Sequence, residues 1–180
     1  MIQAQPLCCA FFMSIAPHPP LVQTRCTTPL GPIRLLASEQ GLAGLWFDDQ
    51  KHRPAELDGL WPHQPTNPWL QQAQQELEEY FGARRRCFSL PLDLSGGTAF
   101  QQTVWQALVK VAYGRTCGYG ELAVHLGRPK AARAVGMAVG LNRLSIIVPC
   151  HRVLGSRGEL TGYAGGLDRK RRLLEIEGLF

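Results

Sequence analysis

One stretch of this chain combines residue types that can do nucleophilic chemistry: Ile146-Ile147-Val148-Pro149-Cys150-His151-Arg152. A thiol becomes a nucleophile when a base takes its proton and the position is accessible, and Cys150 has a histidine directly beside it. The β-branched run at 146–148 reads as a buried strand. Pro149, which cannot donate to a ladder, must end that strand and leave Cys150 on a tight, partly exposed turn. The bland alternative is a small buried hydrophobe, the usual fate of a free cysteine, and a Cys-His pair by itself does not decide between the two. Glu177 is a second candidate. It falls at a helix end, where a carboxylate is unfavourable against the dipole and invites a partner such as an imidazole; an ordinary exposed glutamate is the other reading.

The elements that must position these groups can be read around them. Thr98 caps a helix with Phe100, Val104, Ala107-Leu108 and Val111 on one face, ending near Gly114. Residues 121–126 and 130–140 are two short helical patterns about the turn Gly127-Arg128-Pro129, a helix-turn-helix arrangement. Ala131, Ala132, Ala134, Gly136, Ala138 and Gly140 leave the second helix almost without side-chain bulk, which tight helix packing and close approach to DNA explain equally. Residues 155–166 form a glycine-punctuated loop able to line a pocket with backbone donors and acceptors. A last helix, capped by Asp168, runs through Arg169-Lys170-Arg171-Arg172 and Leu173-Leu174-Ile176 to Glu177, with Gly178 as terminator.

Upstream, turn signals at Pro29-Leu30-Gly31 and Glu39-Gln40-Gly41 cut residues 26–49 into short strands near 33–37 and 42–47, an antiparallel meander. Residues 50–67 are polar and proline-rich, a connecting loop. Trp69, Ala73, Leu77 and Tyr80-Phe81 then recur at helical spacing, and Gly82 ends that helix. The basic run Arg84-Arg85-Arg86 reads as a solvated cluster at the helix C-terminus, where cations are favoured, or as a nucleic-acid contact. Residues 88–94 alternate like another strand, and Ser95-Gly96-Gly97 marks a boundary. The expected units are therefore 24–94 and 98–180. Residues 1–23 form a disordered leader: the apolar stretch at 7–15 is far shorter than the ~20 residues of a membrane span, and no Lys or Arg precedes it as in a signal peptide. Met13 leaves a later start open.

Of the 180 residues, 45% are hydrophobic, enough for a buried core, and the formal charge is +5. The charge is uneven. Residues 115–180 hold eleven Lys/Arg against five Asp/Glu, whereas residues 1–114 hold eight against nine. The basic half is where an anionic partner, nucleic acid first, would bind; a solvated surface that aids solubility is the alternative. The six cysteines have no framework spacing, which fits a reducing compartment, and no C-x-x-C or H-x-x-x-H pair suggests a metal.

Tyr119-Gly120-Glu121-Leu122-Ala123, Lys130-Ala131-Ala132-Arg133-Ala134-Val135-Gly136, Asn142, Pro149-Cys150-His151-Arg152-Val153 and Gly162-Tyr163-Ala164-Gly165-Gly166-Leu167, in this order, resemble the O6-alkylguanine-DNA alkyltransferase family. The likeness is greatest to its bacterial Ogt-type members and runs without a gap from about residue 100 to 178; the N-terminal strands resemble the family's more variable first domain loosely. The resemblance implies an α/β N-terminal domain with an RNase H-like antiparallel sheet and a mainly α C-terminal winged-helix/helix-turn-helix domain. It implies direct DNA repair by a single-turnover methylated-DNA–protein-cysteine S-methyltransferase, which flips an alkylated guanine out of the duplex and moves the alkyl group from O6 to its own cysteine. O4-alkylthymine stays open as a second substrate. The partner would be double-stranded DNA containing alkylated guanine, with no cofactor, no metal and no membrane, and the protein a cytoplasmic monomer.

Carried over by position, Cys150 is the alkyl acceptor, His151 its water-mediated base, Glu177 the orienter of that histidine and Asn142 the brace of the active-site turn. Arg133 takes the flipped base's place in the stack, and Tyr119 crowds the phosphate and reaches guanine N3. Arg128, Lys130 and Ser156 contact DNA, and Ala131, Ala132 and Gly136 let the helix enter a minor groove only ~6 Å wide. Tyr119, Val153, Tyr163 and Ala164 line the substrate pocket: the carbonyls of Cys150 and Val153 accept from the guanine exocyclic amine, and the Ala164 amide faces O6. Two positions depart from the pattern. Arg143 stands where a proline is common, which bears on the rigidity of the turn before Ile146, and Gly118 replaces a small hydroxyl residue, which bears on a phosphate contact. A cysteine hydrolase would need its base from a distant segment, and a noncatalytic lesion-binding protein would lack the acceptor cysteine.

Overall fold

The computed structural model describes residues 21–180. The leader expected at the N-terminus therefore lies outside the described residues except at its end, where the first strand already begins at Val22. Strands β1 (Val22–Thr28), β2 (Gly31–Ser38) and β3 (Gly41–Phe47) form an antiparallel sheet in chain order, the expected meander with one more strand than the turn signals marked. The Thr28 hydroxyl closes the first turn, donating to the Gly31 carbonyl at 2.7 Å and accepting from Leu30 N–H at 3.2 Å. At the second turn Gly41 has φ 146°, and a Cβ there would run into the Pro91 carbonyl, so no other residue fits.

Strand alternation sorts the sheet's side chains onto two faces. Ile33, Leu35, Leu45 and Phe47 belong to the main core, and Leu36 and Trp46 join Leu57 in a smaller cluster. Helix α1 (Pro68–Phe81) contributes Leu70, Ala73, Leu77 and Tyr80 to the main core. Its start is specified locally, by Asn67 Oδ1 accepting from the N–H groups of Trp69 and Leu70 at 3.0 and 3.3 Å and by Pro68 at the first helical position. Truncating Leu77 to Ala would cost about 2–5 kcal/mol. The basic run after α1 is taken up by acids of that helix: Arg85 pairs with Glu79 at 2.8 Å and Arg84 with Glu78 at 3.8 Å, while Arg86 lies over the Tyr113 ring. Residues 88–94 do not form the expected strand. Pro91 has no N–H, and the segment meets β3 in a single bridge, Leu42 to Leu92.

The second half opens with α2 (Ala99–Val109), capped reciprocally by Thr98 and Gln101. Helices α3 (Tyr119–His125) and α4 (Ala132–Gly140) follow, and Trp105 Nε1 clamps α2 to α4 by donating to the Ala138 carbonyl at 2.8 Å. Helix α4 starts two residues later than its pattern suggests. Pro129 and Lys130 stay in the turn, and Ala131 at the cap offers no side-chain acceptor. Short strands β4 (Cys117–Gly118) and β5 (Val153–Leu154) pair in parallel, and α5 (Leu167–Ile176) closes the chain. Its cap is Gly166 at φ 92°, so Asp168 lies inside the first turn and is not the cap expected from sequence.

The run at 146–148 is buried, as expected, but it is a turn and not a strand. Asn142 explains this. Its side-chain amide donates to the Leu144 carbonyl at 3.3 Å and the Val148 carbonyl at 2.9 Å, drawing the chain around itself and putting Ile146 at φ 72°, where β-branched residues are rare. Residues next to it borrow the edge of β3: Leu45 N–H donates to the Arg143 carbonyl at 2.7 Å and Ser145 N–H to the Leu45 carbonyl at 3.0 Å. The Arg143 side chain reaches Gly96 O at 2.9 Å and lies over Trp46, so this turn is tied to the N-terminal half without a proline.

Candidate active site

Cys150 opens a single 3-10 turn, Cys150–Arg152, between the Asn142 turn and β5. It is 5% exposed, so the partly exposed position expected from sequence is corrected: the apolar 146–148 run and the two halves' shared core close over it. Burial pushes its thiol up, opposed by Asn142 Nδ2 donating to Sγ at 3.0 Å and by the charge of Lys170. Asn142 therefore shapes the turn and also holds the sulfur.

His151 is fully buried, and burial pushes its pKa down against the pull of Glu177. Its Nε2 lies 2.9 Å from Glu177 Oε1. An ionised carboxylate can only accept, so Nε2 carries the proton and Nδ1 is left as the basic nitrogen. Nδ1 is buried and has no protein partner among the described residues. Glu177 is the C-terminal cap of α5, followed by Gly178 at φ 77°. Burial alone would raise its pKa, but hydrogen bonds from His151 and Arg152 outweigh this and hold it down at about 2.

Arg152 brings Nε to Glu177 Oε2 and Nη2 to Oε1, both at 2.9 Å, a two-pronged bond that suits guanidinium geometry. Gly114 N–H adds 3.1 Å to Oε2 and Tyr80 Oη 2.8 Å to Oε1. The unfavourable carboxylate at the helix end is thus compensated by imidazole, guanidinium, phenol and amide together.

Tyr119 opens α3 beside Gly136 of α4, where a Cβ would sit 3.6 Å from its ring, and its hydroxyl approaches the Thr161 carbonyl at 3.5 Å. Burial raises its pKa. Tyr163 is buried, with no partner for its hydroxyl among the described residues. The Val153 carbonyl accepts from Lys170 Nζ at 2.6 Å and the Cys150 carbonyl from Val153 N–H, so each keeps one lone pair for an incoming donor. Ala164 is held through its carbonyl, which accepts from Lys51 N–H at 3.0 Å.

Outside this pocket, Tyr119, Ala132 and Ser156 line an open groove of about 610 Å³. Arg128, Lys130 and Arg133 are exposed around the α3–α4 turn, and Ala131 half-buried at its end. Gly118 offers no hydroxyl, and its N–H is taken by Glu121 at 2.8 Å.

Sequence reasoning missed four residues of this region. Arg152 and Tyr80 join Glu177 as described. Lys170 is fully buried, donating to the Val153 and Thr161 carbonyls, and burial brings its pKa down to about 8. Arg169 ties α5 to the N-terminal half, bonding Leu30 O at 2.9 Å, Asp49 at 2.8 Å and Gly165 O at 2.9 Å over the Phe47 ring. Adjacency to Cys-His was a signal for Arg152; nothing local marked the others.

The site defines a class: a protein that keeps a thiol and a neighbouring histidine bonded to a carboxylate in a closed pocket next to an exposed cationic helix pair. Comparison with known proteins makes this specific. Residues 21–94 match the ribonuclease-like domain and residues 99–179 the DNA binding domain of 6-O-methylguanine DNA methyltransferase. The methylated-DNA–protein-cysteine methyltransferase of Mycobacterium leprae is 46% identical over 150 residues, 83% of this chain and 88% of that protein. That of Haemophilus influenzae is 42% identical over 87% of this chain and 86% of its own. The crystal structure of Mycobacterium tuberculosis OGT in complex with DNA superposes with a TM-score of 0.78 at 44% identity, covering 87% of this chain and 92% of that one. The chain belongs to the 6-O-methylguanine DNA methyltransferase family.

Proposed function

We propose that this protein repairs alkylated DNA directly, moving a methyl or larger alkyl group from O6 of guanine to Cys150. The observation that carries the reading is the buried His151–Glu177 pair directly beside Cys150 in the chain, in a family whose relatives bear the name methylated-DNA–protein-cysteine methyltransferase. The thiol proton passes through a water to His151 Nδ1, and the imidazolium formed is balanced by Glu177. Sγ attacks the alkyl carbon, the carbon–O6 bond breaks with its electron pair going to the base, and guanine recovers one proton. The product is a thioether that water does not cleave under mild conditions, so each chain acts once.

Arg133 fills the stack that the flipped base leaves, while Tyr119, Tyr163, Ala164 and the Cys150 and Val153 carbonyls receive the base. Arg128, Lys130 and Ser156 meet phosphates, and Ala131, Ala132 and Gly136 let α4 approach the minor groove. One chain holds every group named, so a monomer suffices. Cys26, Cys87, Cys117 and Cys150 are free thiols and no helix of the described residues is long and apolar enough to cross a membrane, which supports a cytoplasmic setting.

The test follows a labelled alkyl group from O6-alkylguanine in duplex DNA. Label should appear on Cys150 in a burst equal to the amount of protein, with no later turnover. Cys150→Ala should take up none while still binding alkylated duplex; label on another cysteine, or a steady state after the burst, would defeat the reading.

A further inference from the structure

Tyr80 lies on α1, in the N-terminal half, 97 residues before Glu177, yet its hydroxyl donates to Glu177 Oε1 at 2.8 Å. Its ring packs against Phe81, Phe88 and Tyr113 at centroid distances of 5.5, 5.4 and 6.2 Å. A phenylalanine would serve that packing as well. What the hydroxyl adds is a charge-assisted bond to the one oxygen that also receives His151 Nε2 and Arg152 Nη2, each at 2.9 Å.

We propose that Tyr80 is a positioning residue for alkyl transfer: by sharing Glu177 Oε1 with His151, its hydroxyl sets how firmly the carboxylate holds the imidazole and thus how readily His151 takes the Cys150 proton. This rests on the function proposed above. The charge on Oε1 is divided among its donors. When His151 gains a proton at Nδ1, the imidazolium draws on that charge, and every competing donor reduces what remains. Removing the phenol hydroxyl concentrates the charge on the imidazole and raises its proton affinity; a more acidic phenol lowers it.

The groups facing this pair come from four places. Cys150 and Arg152 share the turn with His151, Lys170 faces it from α5, Tyr113 faces Glu177 from the segment after α2, and Tyr80 comes from α1. Changing the Tyr80 hydroxyl leaves the other four in place.

The experiment titrates His151 in the full chain by imidazole ¹⁵N NMR, in the unaltered protein, in Tyr80→Phe and with 3-fluorotyrosine at position 80, whose phenol is the stronger donor at nearly the same shape. Tyr113→Phe is the control, since its hydroxyl donates to the Ile176 carbonyl at 2.7 Å and not to the carboxylate. We expect the His151 midpoint to rise in Tyr80→Phe by about half a pH unit, a roughly threefold gain in proton affinity. It should fall with 3-fluorotyrosine and stay unmoved in Tyr113→Phe. The acid limb of the single-turnover rate with free O6-benzylguanine should shift the same way. An unmoved midpoint with 3-fluorotyrosine, or equal shifts in Tyr80→Phe and Tyr113→Phe, overturns the proposal. If Tyr80→Phe does not fold, the fluorinated protein decides alone. Failure of the unaltered protein to accept the benzyl group would instead overturn the functional reading, and this proposal with it.

Discussion

The inner and outer sides of the C-terminal half handle charge in opposite ways. Inside, Glu177 collects five donors on two oxygens, and the ionisable groups beside it are drawn into one bonded cluster. Outside, Arg128, Lys130 and Arg133 are exposed and, among the described residues, engage no carboxylate. Partnered charges in a closed pocket are fixed before substrate arrives, which preorganises a reaction at little further cost. Cations held in water without partners are free to replace counterions on a polyanion. The contrast separates chemistry from recognition, and substitutions on one side should spare the function of the other.

The largest break comes from inside. Glu177→Gln removes the charge that Arg152 and His151 are buried against, and breaking a buried pair from one side costs about 3–5 kcal/mol. Denaturant melts should show that loss, and the folded fraction should transfer alkyl groups slowly even from free O6-benzylguanine. Its affinity for undamaged duplex should stay near that of the unaltered protein. A loss of DNA binding as large as the loss of transfer would show that the two sides are not separate.

Arg133→Ala breaks the contrast from the other side. If the guanidinium fills the vacated stack, its absence makes extrusion harder by part of the few kcal/mol that flipping requires, so repair of duplex DNA should slow about 10- to 100-fold. Free O6-benzylguanine needs no flipping and should react at an unchanged rate. His151→Ala should lose both reactions together, because the thiol then lacks its base. Equal impairment of Arg133→Ala on both substrates would assign that residue to the fold or the pocket.

Acid and alkali sharpen the inner half alone. Glu177 is held at about 2 in the folded protein against 4.5 for a free glutamate, so its contribution to stability is complete above 4.5 and is lost as pH falls towards 2. Lys170 works in the other direction: the folded protein releases its proton near 8 while the unfolded chain keeps it to about 10.5, so this group makes stability rise with pH across that window. Comparing Tm at pH 7.5 and 10 in the unaltered protein and in Lys170→Met isolates that rise, which the variant should lack.

What could be read from sequence was what is specified locally. The apolar spacing of residues 69–81, the Thr98 cap and the turn at residue 127 rest on neighbours within a few positions, and α1 to α4 follow from them, although α2 stops at Val109, short of the end expected near Gly114. Cys150, His151, Asn142 and Glu177 were placed by motif, and the structure brings Asn142 Nδ2 to Cys150 Sγ and His151 Nε2 to Glu177 Oε1. The segments misread as strands, 88–94 and 146–148, have strand-like composition, but Pro91 interrupts one and the Asn142 amide curls the other. Pro91 lies inside the first run and Asn142 four residues before the second, but apolar or β-branched composition outweighs both as a sequence signal. Tyr80 and Lys170 fit their own helices, α1 and α5, as ordinary core and basic positions; their roles exist only once α1 and α5 reach the turn at Cys150.

The smallest effect expected lies in the salt dependence of the outer side. Each phosphate neutralised by a cation releases condensed counterions and contributes about −0.9 to the slope of log K against log salt on B-DNA. Arg128 already stacks over the Phe100 ring at 5.3 Å, which fixes its stem near the α3–α4 turn and leaves the guanidinium exposed. Arg128→Ala should therefore weaken duplex binding about equally for all sequences and reduce the slope by about 1, without changing transfer from free O6-benzylguanine. A slope unchanged in Arg128→Ala but reduced in Lys130→Ala would move the phosphate contact two residues along the turn. Slopes unchanged in both would show that these cations stay in water, and that backbone amides of the helix pair carry the contact.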